Sequence, residues 1–128
     1  DGFPDDELAW LRADLDANTQ PYTFLFFHRP LDVPGQQWFG DDETPHSREQ
    51  NEKFKMLISE YSITRIFNGH VHTYLEYTLN DIPVTITGGG GATPQALLGG
   101  KDAAYYHYVL VSMYDDGREP TLKVRPLE

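Results

Sequence analysis

Two spacings of apolar residues alternate along this chain, one of helical period and one of strands. Leu8, Leu11 and Leu15 fall on one face of a helix, with Trp10 beside it. The acids Asp5-Asp6-Glu7 suit its positive end, and the pattern stops near Ala17-Asn18. A second stripe, Phe54, Leu57, Ile58 and Tyr61, follows Ser47-Arg48-Glu49-Gln50, whose S-x-x-Q spacing is that of a capping box. It predicts a helix beginning at Ser47. Between the stripes, Tyr22 to Phe27 is an unbroken apolar run, which predicts a strand buried on both faces in the middle of a sheet. Ile63 to Phe67 is a second, shorter run of this kind.

Beyond position 73 the chain changes to short strands. Tyr74 to Leu79 and Ile82 to Thr87 flank Asn80-Asp81, a hairpin turn, and Pro83 restricts the second run to an edge or a strand start. From Tyr105 to Tyr114, Tyr106, Tyr108, Leu110 and Ser112 alternate with His107, Val109, Val111 and Met113. Asp115 to Arg118 reads as a turn and Thr121 to Arg125 as the last strand, closing an antiparallel hairpin. Leu31 to His46 and Ala92 to Ala104 read as loops. Trp38-Phe39 in the first loop are costly to leave in water, and either wall a substrate pocket or cover the core. The expected fold class is α/β (α+β), β-rich with two helices, as a single domain over residues 1–128.

The strand–helix–strand order from Tyr22 to Phe67 brings chemistry into view. A parallel crossover places the carboxyl ends of both strands at one sheet edge, where ligands of layered α/β proteins collect. His28 follows the first run and His70 and His72 follow the second. In extended backbone, residues two apart project to the same side, so His70 and His72 are expected to aim two imidazoles at one point, with His28 as a third. Gly69 would let the backbone turn sharply or approach a bound group, and Asn68 would hold an imidazole by a hydrogen bond. His46 has no chelating neighbour, and His107, sharing a face with valines, reads as a hydrogen-bonded structural histidine. Gly88 to Gly91 reads as a flexible or close-packed turn rather than a phosphate cradle, since no G-K-[S/T] follows.

Composition narrows the remaining classes. A formal charge of -10 disfavours nucleic-acid binding through a basic surface. The absence of cysteine excludes disulfides and thiolate metal sites, leaving histidine and carboxylate as strong ligands. No stretch approaches the roughly 18 apolar residues of a membrane span. A chain that opens on Asp1 without methionine is expected to have lost its beginning, with any export signal.

Phe27-His28-Arg29-Pro30-Leu31 and Asn68-Gly69-His70-Val71-His72-Thr73-Tyr74 resemble the last two signature motifs of the calcineurin-like metallophosphoesterases, closest to the purple-acid-phosphatase-like branch. The Gly88 to Gly91 run is similar to a glycine-rich segment of that branch. The upstream D-x-H, G-D-x-x-D and G-N-H-[D/E] motifs have no counterpart: Gly40-Asp41-Asp42-Glu43 lacks the later aspartate, and Asn68-Gly69-His70 has another order. The resemblance therefore implies the C-terminal half of a four-layer αββα sandwich, covered by a missing N-terminal portion or a second chain. It implies phosphoester hydrolysis at two divalent or trivalent metal ions, iron, zinc or manganese, completed by ligands outside this chain. His28 and His70 would ligate one metal and His72 the other, with Arg29 on the substrate phosphate. A secreted or periplasmic location is slightly favoured. The competing expectation is a non-catalytic metal-binding or interaction module that retains half of the fold.

Overall fold

The computed structural model describes residues 2–35, 44–96 and 104–127. Among them are two helices, α1 (Asp5–Ala17) and α2 (Pro45–Ile58), and six strands: β1 (Phe24–Phe26), β2 (Arg65–Asn68), β3 (Tyr74–Leu79), β4 (Ile82–Thr87), β5 (His107–Ser112) and β6 (Thr121–Pro126). The first four strands form one sheet in the order β1-β2-β4-β3, and β5 and β6 form a second. The described residues thus form a mixed α/β fold with two helices, as the periodicity predicts. Trp38 and Phe39 lie outside the described residues.

Two compact units divide the chain. The first comprises Asp1–Leu25, Leu31–Ile66 and Tyr77–Val84. Its core includes the predicted helical stripes: Leu8 and Leu15 of α1, and Phe54, Leu57 and Ile58 of α2, are buried, as are Ile66 and Val84 of the strands, and Phe3 stacks on Phe54 at 4.0 Å. Full burial of a side chain such as Phe54 or Ile58 contributes about 1.5–3 kcal/mol. Arg12–Glu60 and Lys53–Asp5 ion pairs, at 2.8 and 3.0 Å, are exposed and screened by solvent, so they add little to stability. Asn80 and Asp81 both take positive φ, 48° and 65°, the backbone that a two-residue hairpin turn requires. Pro83 occupies the start of β4, an interior strand of the sheet. The Tyr77 hydroxyl donates to Leu31 O at 2.6 Å, and burial pushes its pKa up, with Asp32 adding to the effect.

The second unit comprises Phe26–Pro30, Phe67–Glu76 and Thr85–Glu128. β5 and β6 pair antiparallel from His107 opposite Pro126 to Ser112 opposite Thr121. The predicted alternation along β5 holds: His107 is buried, whereas Tyr106, Tyr108 and Leu110 are 43%, 52% and 45% exposed.

Two local expectations are corrected. The strand drawn from Tyr22 to Phe27 shortens to Phe24–Phe26 and lies at the edge of the sheet formed by the described residues, not at its centre with both faces buried. Its apolar run assumes cover on two sides, yet Phe26 stacks on Phe67 at 5.1 Å and remains 74% exposed. The second helix begins two residues before Ser47. Thr44 is its N-cap, accepting from Ser47 N at 3.1 Å, and Pro45 supplies the first helical position, where its missing N–H costs nothing. Ser47 is instead the third residue of α2, its hydroxyl donating back to Thr44 O at 3.0 Å. Thr44→Ala should therefore cost about 1 kcal/mol in urea unfolding. An unchanged midpoint would contradict this cap.

Candidate metal centre

The geometry of the candidate site follows from how β1 and β2 end. Phe27 N donates to Phe67 O at 3.2 Å, and Gly69 N donates to His28 O at 3.0 Å. Residue numbers rise together on both sides of this ladder, so the two strand ends run parallel, as the crossover pattern predicts. The Asn68 side chain extends the ladder by one bond, Nδ2 donating to Phe27 O at 2.8 Å. Asn68 thus grips the backbone ahead of His28 and does not hold an imidazole. Its Oδ1 is buried and finds no partner among the described residues.

Past these bonds two imidazoles meet. His28 Nε2 lies 3.3 Å from His70 Nδ1, and the rings stand at 80° with centroids 5.2 Å apart. The separation suits a direct hydrogen bond in which one ring carries the proton. It also suits a shared cation, because two nitrogens each about 2.0–2.1 Å from a tetrahedral ion lie about 3.3–3.4 Å apart. His28 is exposed and His70 half-buried.

His72 does not complete this pair. Among the described residues no three His, Asp or Glu side chains gather as a metal site. The expectation that alternate residues of an extended strand would aim His70 and His72 at one point fails because residues 69–73 form a tight bend. Its positive φ, 64°, falls on His70 rather than on Gly69. A left-handed backbone at a residue with a Cβ costs on the order of 1–3 kcal/mol and tends to mark functional positions. Within the bend, Val71 N bonds Gly69 O at 2.7 Å and Thr73 N bonds Val71 O at 2.8 Å. His72 turns its Nδ1 to Thr93 O at 3.2 Å, and since a carbonyl only accepts, Nδ1 carries a proton, which in a neutral ring leaves the lone pair on Nε2. Thr93 has no signal in the sequence that would single it out.

The glycines divide by environment. A Cβ on Gly69 would meet the His28 ring at 3.5 Å, an ordinary contact, so this position does not demand glycine. A Cβ on Gly88 would sit 1.9 Å from Val71 O, whereas one on Gly90 would meet nothing within 4 Å. The run is thus close-packed at its start and open beyond. His46 lies in the exposed first turn of α2, and Arg29 is half-buried beside His28.

No family model matches this chain. "Probable inactive purple acid phosphatase 24" of Arabidopsis thaliana is 32% identical over 62 residues, which is 48% of this chain and 10% of that protein. "Probable inactive purple acid phosphatase 27" of the same plant is 34% identical over 65 residues, again 48% and 10%. Over about half its length, this chain is related to purple-acid-phosphatase-like proteins. The likeness agrees with the C-terminal part of a calcineurin-like metallophosphoesterase, the family that the H-R-P and G-H-x-H wording resembles. The matched part spans about a tenth of the relatives' length, and both relatives carry "inactive" in their names. A purple-acid-phosphatase-like family implies metal cofactors in general, and among the described residues the separation of the His28 and His70 nitrogens is one that a shared ion would accept.

Three substitutions separate close packing from open space. Gly88→Ala should cost about 3 kcal/mol in thermal or chemical unfolding, because the clash is with backbone. Gly90→Ala should stay within about 0.5 kcal/mol of wild type. Gly69→Ala should be neutral or stabilising by up to about 1 kcal/mol through the unfolded chain. Equal losses at positions 88 and 90 would contradict the packing described.

Proposed function

We propose that this chain is the histidine-bearing part of a metal-dependent phosphoester hydrolase with a two-metal centre. The observation that carries the reading is the 3.3 Å approach of His28 Nε2 and His70 Nδ1 beyond two paired parallel strands. His28 and His70 hold one cation, and His72, with Nε2 left available by its bond to Thr93, serves the second. Bound cations would clamp phosphoryl oxygens and lower the pKa of a coordinated water. Imidazole suits iron, zinc and manganese alike. Arg29, next to His28 in the chain, offers a guanidinium to the substrate phosphate. The carboxylate ligands that such a centre needs come from an N-terminal portion or a second chain, which also covers the exposed apolar residues Phe26, Tyr108 and Leu110. Export from the cytoplasm accords with this reading.

A second reading keeps the fold and one metal without catalysis. It is favoured by the names of the two relatives and by the lack, among the described residues, of a third ligand near the pair. Calorimetric titration with Zn²⁺ and phosphatase assays of the complete polypeptide separate the two. His28→Ala and His70→Ala should each weaken Zn²⁺ binding by at least about 100-fold, since changes merely outside the ligand shell cost about 10- to 100-fold. His70→Ala and His72→Ala should abolish hydrolysis while the protein stays folded. Metal binding without hydrolysis in the wild type would select the non-catalytic module. Activity retained in both variants would refute the ligand assignment.

A further inference from the structure

His107 lies outside the His28–His70 pair, yet its surroundings lead to the bend that carries His70 and His72. It is 1% exposed, and both ring nitrogens are engaged. Nδ1 donates to Tyr105 O at 2.9 Å, which in a neutral ring leaves Nε2 to accept from the Thr87 hydroxyl at 3.1 Å. Its backbone N also donates to Gly89 O at 3.1 Å. The ring is pressed so close that a Cβ on Gly89 would lie 2.2 Å from Nδ1, and Tyr74 meets it edge-on at 5.5 Å and 86°. One buried ring therefore touches Thr87 and Gly89 at the end of β4 and Tyr74 at the start of β3.

Those segments flank the histidine bend. Gly88 N donates to Thr73 O at 3.0 Å, and the place of a Cβ on Gly88 is 2.9 Å from His72 Cα and closer still to Val71 O. The bend rests directly on the Gly88 backbone, with no side chain between. On its other side Gln95 N donates to His72 O at 2.7 Å. An apolar residue at position 107 could fill the space, but it would leave the Tyr105 carbonyl and the Thr87 hydroxyl without the ring and would not fix where β4 ends.

We propose that His107 is a positioning residue for the His70–His72 bend, acting through the Thr87 hydroxyl and the Gly88-Gly89 backbone. The proposal takes its functional meaning from the metal-centre reading above, but its structural content is independent of it. Three variants of the complete polypeptide test it. Thr87→Val removes the hydroxyl at nearly constant shape, His107→Asn keeps a donor near Nδ1 but loses Nε2, and His107→Gln restores a group that reaches Thr87. Two readouts apply: long-range ¹H–¹⁵N NMR of the His70 and His72 imidazoles without metal, and Zn²⁺ affinity by calorimetry.

Thr87→Val and His107→Asn should shift the imidazole signals of His72 and His70 and weaken Zn²⁺ binding by about 10- to 100-fold. His107→Gln should return both towards wild type, and Gly90→Ala should change neither. Wild-type imidazole signals in a folded Thr87→Val chain would overturn the proposal, even if His107→Asn fails to fold. If the wild type binds no Zn²⁺, the metal-centre reading fails by itself, and the imidazole signals alone decide whether His107 positions the bend.

Discussion

The parallel pairing of two strand ends fixes the rest of the candidate site. Phe27 N to Phe67 O and Gly69 N to His28 O are backbone bonds, indifferent to side-chain identity, and Asn68 adds a third link by donating to Phe27 O. Together they bring the residue after β1 and the residues after β2 side by side. His28 and His70 then need no long-range contact of their own to meet at 3.3 Å. A site built on a ladder in this way inherits the ladder's rigidity, which is what a ligand set needs if its atoms are to stay within a fraction of an ångström of a cation.

Beyond the ladder, strain and close packing replace regular structure. The bend places a non-glycine residue at φ 64°, and that residue is one of the two converging histidines. Glycine would relieve the backbone there but would remove the imidazole, so the site keeps the costlier choice. The opposite arrangement holds at the end of β4, where Gly88 and Gly89 are needed because Val71 O and the His107 ring occupy the space of a side chain. The bend is thus bounded by the strand ladder before it and by Gly88 and Gln95 behind it.

What the sequence reveals follows from the range of each interaction. Both helices, the hairpin at Asn80-Asp81 and the β5–β6 pair are legible because their periods and turn residues act locally. The meeting of His28 and His70 is legible too, since a strand–helix–strand order and parallel pairing suffice to bring them to one edge. The role of His72 is not legible, because the two-residue alternation of extended backbone does not apply to a bend whose left-handed residue is His70 itself. Thr44 is missed as a cap because Ser47, with Gln50 three residues on, satisfies the capping-box spacing and Thr44 does not; the bond from Ser47 N to Thr44 Oγ1 decides for Thr44. The edge position of β1 is missed for a different reason. An apolar run records that cover is expected on both faces, not which chain supplies it, and Phe26 is still 74% exposed.

The central claim is that His28 and His70 converge on one cation. X-ray absorption fine structure at the zinc edge of the Zn²⁺-loaded complete polypeptide tests it most directly. The geometry predicts at least two imidazole nitrogens at about 2.0–2.1 Å, with the multiple scattering of imidazole rings that disappears in a His28→Ala, His70→Ala double variant. A first shell made only of oxygen, or an imidazole signal that survives the double substitution, would contradict it.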